Sequence, residues 1–330
     1  MNRRASLGPT KTVAFTALAV VLFFGLLEGA VRILVGPEAL EYRFPSINPQ
    51  RHDDKGYIQD PDLFWRLRPG GNASRFEAAN PQGFRGPSLP FERRPGSFRV
   101  VCLGDSCTYA GRHPYRVAYP GGLQERLAGR NPDRIIEVMD AGVPGYTSLQ
   151  ALRHLKRDLI RYRPDVVTFY LAANDWNDAV FFPDRAQTPR RNTPGFGHHI
   201  LRWFRTYDVA CSVLLYRRRE PRVNLTDYRA NVEDLIAVCR REAALPVLFT
   251  YPDTFTPNRF EAYNRIVHEV ATARGVPLLD FAARFKPLGR SYFLPEDFHP
   301  NMKGHLQIAD WLTDFLCEHA PGLHCAPAGR

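Results

Sequence analysis

The sequence predicts an α/β domain of about five parallel strands in a three-layer α/β/α arrangement, preceded by one N-terminal membrane-spanning helix. Three observations predict it. From residue 98 onward, short and nearly unbroken apolar runs alternate with longer stretches of helical periodicity, the pattern of strands buried on both faces. An unbroken run of apolar or small residues, Val13–Leu27, stands ahead of everything else behind a basic leader. The 330 residues are 44% hydrophobic and 24% charged, which supplies a sizeable core and excludes a disordered chain, a collagen and a multi-pass membrane protein.

The anchor is the first element. The stretch from Thr12 to Gly36 is long enough for one spanning helix, which needs ~20 residues. Glu28 and Arg32 interrupt its far end four positions apart, the spacing of a pair on one helix face. Arg3, Arg4 and Lys11 precede the run without an acid among them. The positive-inside rule therefore puts the N-terminus in the cytoplasm and everything after Gly36 outside it, as in a single-pass protein of the cell (inner) membrane with a periplasmic domain. A cleaved signal peptide, with Glu28-Gly29-Ala30 as a poor cleavage site, and a buried core helix are the rival readings.

Four regions follow from this reading: leader and anchor over 1–36, a loop-rich lead-in over 37–97, the main domain over 98–319 with an insertion at 176–225, and a tail over 320–330. The lead-in is rich in Pro, Gly, Asn, Asp and Arg and lacks sustained periodicity, but Tyr57, Phe64, Trp65 and Phe84 can tie it to a core. The main domain opens with a strand, 98–103, stopped by Gly104. A helix over 119–127, a strand over 135–139, a helix over 148–162 and a strand over 165–171 come next. Beyond the insertion come a helix over 224–242 capped at Thr226 or Asp227, a strand over 246–250, a helix over 258–274 closed by Gly275, a strand over 277–280 and a last helix over 303–318. The insertion is too long for an ordinary loop. Its Trp176, Phe181, Phe182, Phe196, Trp203, Phe204 and Tyr207 read first as packing for a small cap and second as a substrate platform.

Outside the cytoplasm disulfides are allowed, and Cys317 and Cys325, flanking a short tail loop, are the best pair. Cys102 and Cys107 straddle a strand end and do not suit a mutual bridge; Cys211 and Cys239 stay open. No C-x-x-C occurs, and His198-His199 has no spaced third ligand, so no metal is expected. A formal net charge of +10 invites nucleic acid as a partner. Yet only five of the 44 basic residues are lysines, and the arginines are scattered, with Arg217-Arg218-Arg219 the longest run. Nucleic acid is not expected as a partner.

In an open parallel sheet, ligands bind beyond the carboxyl ends of the strands. Gly104-Asp105-Ser106 follows the first strand, a glycine turn ending in Gly145 the second, and Ala172-Ala173-Asn174-Asp175 the third. Pro295-Glu296-Asp297-Phe298-His299 comes soon after the fifth. A serine, a glycine turn, an asparagine and an acid-plus-histidine pair on one rim are what acyl transfer through a serine needs. Each alone is a common turn or cap; in this order they are specific. Asp105 and Asp175 fit caps and loop hydrogen bonds, and His305 falls at the start of the last helix.

These residues resemble the SGNH hydrolase superfamily, the GDSL-like lipases and acylhydrolases, over about Phe98–Leu316. The four blocks are Gly104-Asp105-Ser106, Gly145, Asn174-Asp175 and His299. Asp60-Pro61-Asp62 and Gly83-Phe84-Arg85-Gly86 are similar to the lead-in of membrane-anchored members. Ala172 departs from the family's glycine, and Glu296 stands where an aspartate is usual, with Asp297 one residue later. The resemblance implies a flavodoxin-like fold, Ser106 as nucleophile, His299 as base, and Asp297 or Glu296, with a lean to Asp297, orienting the imidazole. It also implies an oxyanion hole from the N–H groups of Ser106 and Gly145 and the amide of Asn174, with no cofactor.

The function expected is a membrane-anchored serine esterase acting on acetyl or short acyl esters, with an acylated glycan or a lipid as partner and the membrane met through one helix. An O-acyltransferase modifying an exopolysaccharide, a lipase or lysophospholipase, and a non-catalytic glycan-binding protein are the alternatives.

Overall fold

A computed structural model of the chain describes residues 8–35, 56–179, 183–186, 201, 203–207, 209–210, 220–252, 258–295 and 298–326. The chain divides into two compact units: residues 1–47 with 190–219, and residues 48–189 with 220–330. The first unit contains α1 (Pro9–Leu34), started by Pro9 at a helix N-terminus, where a missing N–H costs nothing. Its 26 residues rise about 39 Å, and none of them is buried. Glu28 and Arg32 pair at 2.7 Å, as their spacing predicts.

In the second unit, β1 (Tyr57–Asp60) and β2 (Phe64–Leu67) form an antiparallel hairpin inside the lead-in, where the sequence showed no periodicity. Four-residue strands are too short to display one. There follow β3 (Ser97–Gly104), α2 (Ser106–Tyr109), α3 (Tyr119–Arg130), β4 (Ile135–Gly142), α4 (Ser148–His154), β5 (Val166–Tyr170), α5 (Ala173–Trp176), α6 (Leu225–Arg241), β6 (Leu245–Phe249), α7 (Glu261–Arg274), β7 (Leu278–Leu279), α8 (Phe281–Phe285) and α9 (Met302–His319). The cap of α6 is Asn224, not Thr226 or Asp227: its side chain accepts the Asp227 N–H, which fixes the helix start one residue on. The helix expected over 148–162 is α only to His154. It widens to a π-helical stretch at Leu155–Leu159 and tightens to a 3₁₀ turn at Ile160–Tyr162.

Five parallel strands pair in the order β4-β3-β5-β6-β7. All eight residues of β3 and all five of β5 are buried, as strands covered on both faces must be. Right-handed crossovers running in opposite directions from β3 put α3 on one face and α4, α6 and α7 on the other. The packing agrees: α3 lies on β4 and α9, and α6 on α4, α7 and β6. The order reverses at β3, whose neighbours β4 and β5 lead the chain to opposite edges, and the crevice at such a switch point is where a ligand fits.

A second, smaller core packs Leu63, Phe64, Trp65 and Leu67 of the lead-in against Tyr109, Val143 and Tyr146 of the strand-end loops. The tail is closed by the Cys317–Cys325 disulfide. Cys102, Cys107 and Cys239 are buried and not disulfide-bonded; Cys211 lies outside the described residues.

Candidate active site

The site begins where β3 ends. A Cβ on Gly104 would come within 2.0 Å of Thr108 Oγ1, so only glycine lets the chain turn this tightly. Asp105 caps α2, its Oδ1 accepting the Cys107 N–H at 2.8 Å. Ser106 is thereby set at the first helical position with its side chain half-buried. Its Oγ lies 2.7 Å from His299 Nε2, a residue 193 positions away in the chain.

His299 arrives on a loop held from behind. Phe293 bridges to Pro300, and the Leu294 N–H donates to the His299 carbonyl at 2.9 Å. Asn301 caps α9 by accepting the Gly304 N–H at 3.1 Å, while its amide donates to the carbonyls of Ser291 and Phe293 at 2.9 and 3.0 Å. The Phe298 ring stacks on the imidazole at 4.5 Å. Glu296 and Asp297 lie outside the described residues.

Gly145 and Asn174, the groups expected on the oxyanion side, follow β4 and β5, the two strands that flank β3. Gly145 takes φ +84, and a Cβ there would lie 2.9 Å from Trp65 Cζ2, so both conformation and space require glycine. Asn174 donates from Nδ2 to the Tyr146 carbonyl at 3.1 Å and to Asp105 Oδ2 at 3.3 Å. Among the described residues the N–H groups of Ser106 and Gly145 make no hydrogen bond.

Burial sets the charge state beneath these groups. Asp105 is wholly buried, which pushes its carboxyl up to about 6; the Cys107 N–H, the charge of His299 and the Tyr251 hydroxyl hold it from rising further. Asp175 is pushed by burial up to about 7 while its carboxylate accepts the N–H and hydroxyl of Ser148 at 2.9 and 2.5 Å. Both aspartates thus have the supporting place the sequence predicts. His305 lies buried in the first turn of α9, its ring 5.3 Å from that of His113.

A sequence model of the GDSL-like lipase/acylhydrolase family matches residues 102–306, well over half of the chain. The chain belongs to the GDSL-like lipase/acylhydrolase family. This GDSL-like protein is an ester-hydrolysing enzyme of the SGNH type. Its fold is similar to that of a lipase/acylhydrolase from Enterococcus faecalis (17% identity, 71% of this chain and 100% of that one, TM-score 0.47). It is also similar to a variant of an acetyl-xylooligosaccharide esterase from Geobacillus stearothermophilus (20% identity, 67% and 95%, TM-score 0.48). A third likeness is to a psychrotrophic esterase from a Pseudoalteromonas species (18% identity, 67% and 97%, TM-score 0.46). No curated protein matches the sequence.

The structure places Ser106, Gly145, Asn174 and His299 of this acylhydrolase on one rim, and it adds Arg222 and Asp184, which sequence reasoning missed, and contacts of Trp65 and Arg85, which it had placed only in the lead-in. Arg222, 4% exposed, donates Nη1–H to the Gly145 carbonyl at 2.7 Å. The same guanidinium forks onto Asp184 at 3.0 and 2.8 Å and reaches Gln150 Oε1 at 2.8 Å. Both Arg222 and Asp184 sit at the ends of the insertion, which pair through Ala179 to Glu220 and Asp184 to Arg222 backbone bonds. Trp65 donates its indole N–H to the Pro144 carbonyl at 3.1 Å. Arg85, 1% exposed, donates to the carbonyls of Tyr109 and Ala110 at the end of α2, and to Glu77 at 2.9 Å. The only available signal was an arginine or tryptophan amid turn residues. Of the insertion's aromatics, Trp176 packs edge-on to Phe260 beneath Arg259, near Phe298; Phe181, Phe182 and Phe196, like His198 and His199, lie outside the described residues.

Proposed function

We propose that Ser106 is the nucleophile and His299 the general base of an esterase held in the membrane by α1, with residues 98–319 outside the cytoplasm. The substrate proposed is an acetyl or other short acyl ester on a cell-surface glycan, the ester class that such a location offers. The observation that carries the mechanism is the 2.7 Å contact between Ser106 Oγ and His299 Nε2.

Ser106 Oγ attacks the ester carbonyl as His299 Nε2 takes its proton. The oxyanion is met by the N–H groups of Ser106 and Gly145 and by the Asn174 amide. Asn174 holds two acceptors in the free enzyme, and the longer contact, to Asp105 Oδ2, is the one an oxyanion replaces. Collapse of the tetrahedral intermediate expels the alcohol, which receives the proton from His299. Water, deprotonated by His299, then attacks the acyl-enzyme, and His299 returns that proton to Ser106 Oγ as the acyl–Oγ bond breaks and the carboxylic acid leaves. Asp297, with Glu296 as the second choice, orients the imidazole.

The test uses the full chain in detergent. Ser106→Ala should abolish both fluorophosphonate labelling and ester hydrolysis with little change in Tm; hydrolysis surviving it overturns the mechanism. A panel of acetyl, butyryl and long-chain esters beside acetylated glycans tests the substrate, and activity confined to long chains favours a lipase. Mass spectrometry of the membrane-extracted protein tests the anchor, since a mature N-terminus near Val31 means cleavage.

A further inference from the structure

Glu28 is an acid near the far end of a helix read as membrane-spanning, a costly place for a charge unless partners meet it. Within the unit of residues 1–47 and 190–219, its carboxylate accepts Arg32 Nε–H at 2.7 Å, the backbone N–H of Arg205 at 2.7 Å and of Thr206 at 2.8 Å, and the Thr206 hydroxyl. Arg32 in turn donates Nη2–H to the Trp203 carbonyl at 2.6 Å. Two successive turns of α1 therefore grip the main chain of residues 203–206. Arg205 and Thr206 open a helical turn, and their N–H groups are of the kind a carboxylate caps.

The side chains carried by this gripped segment are apolar and open: Leu201 is 43% exposed, Trp203 74% and Phe204 48%. From Lys11 to Glu28 the helix rises about 26 Å, close to the ~30 Å of a bilayer's hydrocarbon core. Glu28 and Arg32 thus fall at the outer boundary of that core, the level at which tryptophans concentrate. The apolar residues of α1 from Val13 to Leu26 are exposed, so on the anchor reading the patch continues the surface that meets lipid.

We propose that Leu201, Trp203 and Phe204 form an interfacial foot: clipped through the main chain to Glu28 and Arg32, they insert at the headgroup–acyl boundary of the membrane that α1 spans. The proposal rests on the anchor reading. It gives the insertion a lipid partner and gives Glu28 a purpose beyond its pair with Arg32.

The full chain is reconstituted into phosphatidylcholine vesicles with or without bromine on the upper acyl chain, and its tryptophan fluorescence is compared. The wild type should be quenched by the brominated lipid and Trp203→Phe clearly less so, with Trp65, Trp176 and Trp311 as the common background. Glu28→Ala should lower the quenching toward that of Trp203→Phe and speed amide exchange at Arg205 and Thr206 roughly tenfold. Equal quenching of wild type and Trp203→Phe overturns the foot, and unchanged exchange in Glu28→Ala overturns the clip. A carbonate wash separates the two readings: protein released from the vesicles fails the anchor, whereas protein retained with equal quenching fails only the foot.

Discussion

The parallel-sheet frame and the two segments outside it contribute to the site in different ways. The frame carries the groups proposed to react: Ser106 after β3, Asn174 after β5 and His299 before α9. The lead-in and the ends of the insertion supply what holds them: Trp65 against Gly145, Arg85 on the carbonyls ending α2, and Arg222 with Asp184 on the Gly145 carbonyl. The proposed chemistry sits at the strand ends of the frame, and its alignment is delegated to segments outside it. Alignment therefore costs activity when it is lost even though no reacting group is touched.

The sharpest way to break this contrast is Arg222→Ala. It removes the Arg222 guanidinium from the fully buried Asp184, and breaking such a pair costs about 3–5 kcal/mol. The Tm should fall steeply. At temperatures where the variant stays folded, kcat should drop by roughly 100-fold, with fluorophosphonate labelling at Ser106 retained. Arg222→Lys should rescue little, because an ammonium cannot fork. Unchanged kcat in the folded variant would remove the insertion from the site. A milder probe is Trp65→Phe, which keeps most of the ring packing but deletes the bond to the Pro144 carbonyl. A loss of about 1 kcal/mol, roughly fivefold in kcat, is expected; an equal change confined to KM would point to substrate contact instead.

The smallest effect should come from inside the frame. Asp140 on β4 is wholly buried, and burial pushes its carboxyl up to about 7. A carboxyl raised in the folded state contributes stability below its unfolded pKa of about 4 and loses it as pH rises through the folded value. Asp140→Asn should therefore raise Tm more at pH 8 than at pH 5, with kcat little changed. A gain independent of pH would mean that the carboxyl titrates alike in the folded and the unfolded chain.

The same division explains what the sequence disclosed. Strands such as Val166–Tyr170 and helices such as Leu225–Arg241 announce themselves by periodicity, and the residues after each strand could be compared at once. The Cys317–Cys325 pair was legible because its loop is short. The roles of Arg222, Asp184 and Arg85 were not, because the two arginines donate to backbone carbonyls far away in the chain and Asp184 accepts from Arg222, and nothing local marks such bonds. The hairpin at Tyr57–Leu67 was hidden by its brevity, and the cap at Asn224 by equally good candidates beside it.

The π-helical stretch at Leu155–Leu159 has a consequence for how the protein tolerates change. A π turn accommodates one more residue than an α turn over the same rise, so residues beyond it are rotated relative to an unbroken helix. Arg157 lies within it and forks onto Asp60 of the lead-in hairpin at 2.8 and 2.9 Å. Deleting one residue there would let the helix relax to regular pitch and swing that guanidinium away from the hairpin. At this place a change in chain length should be less forgivable than almost any change of side chain.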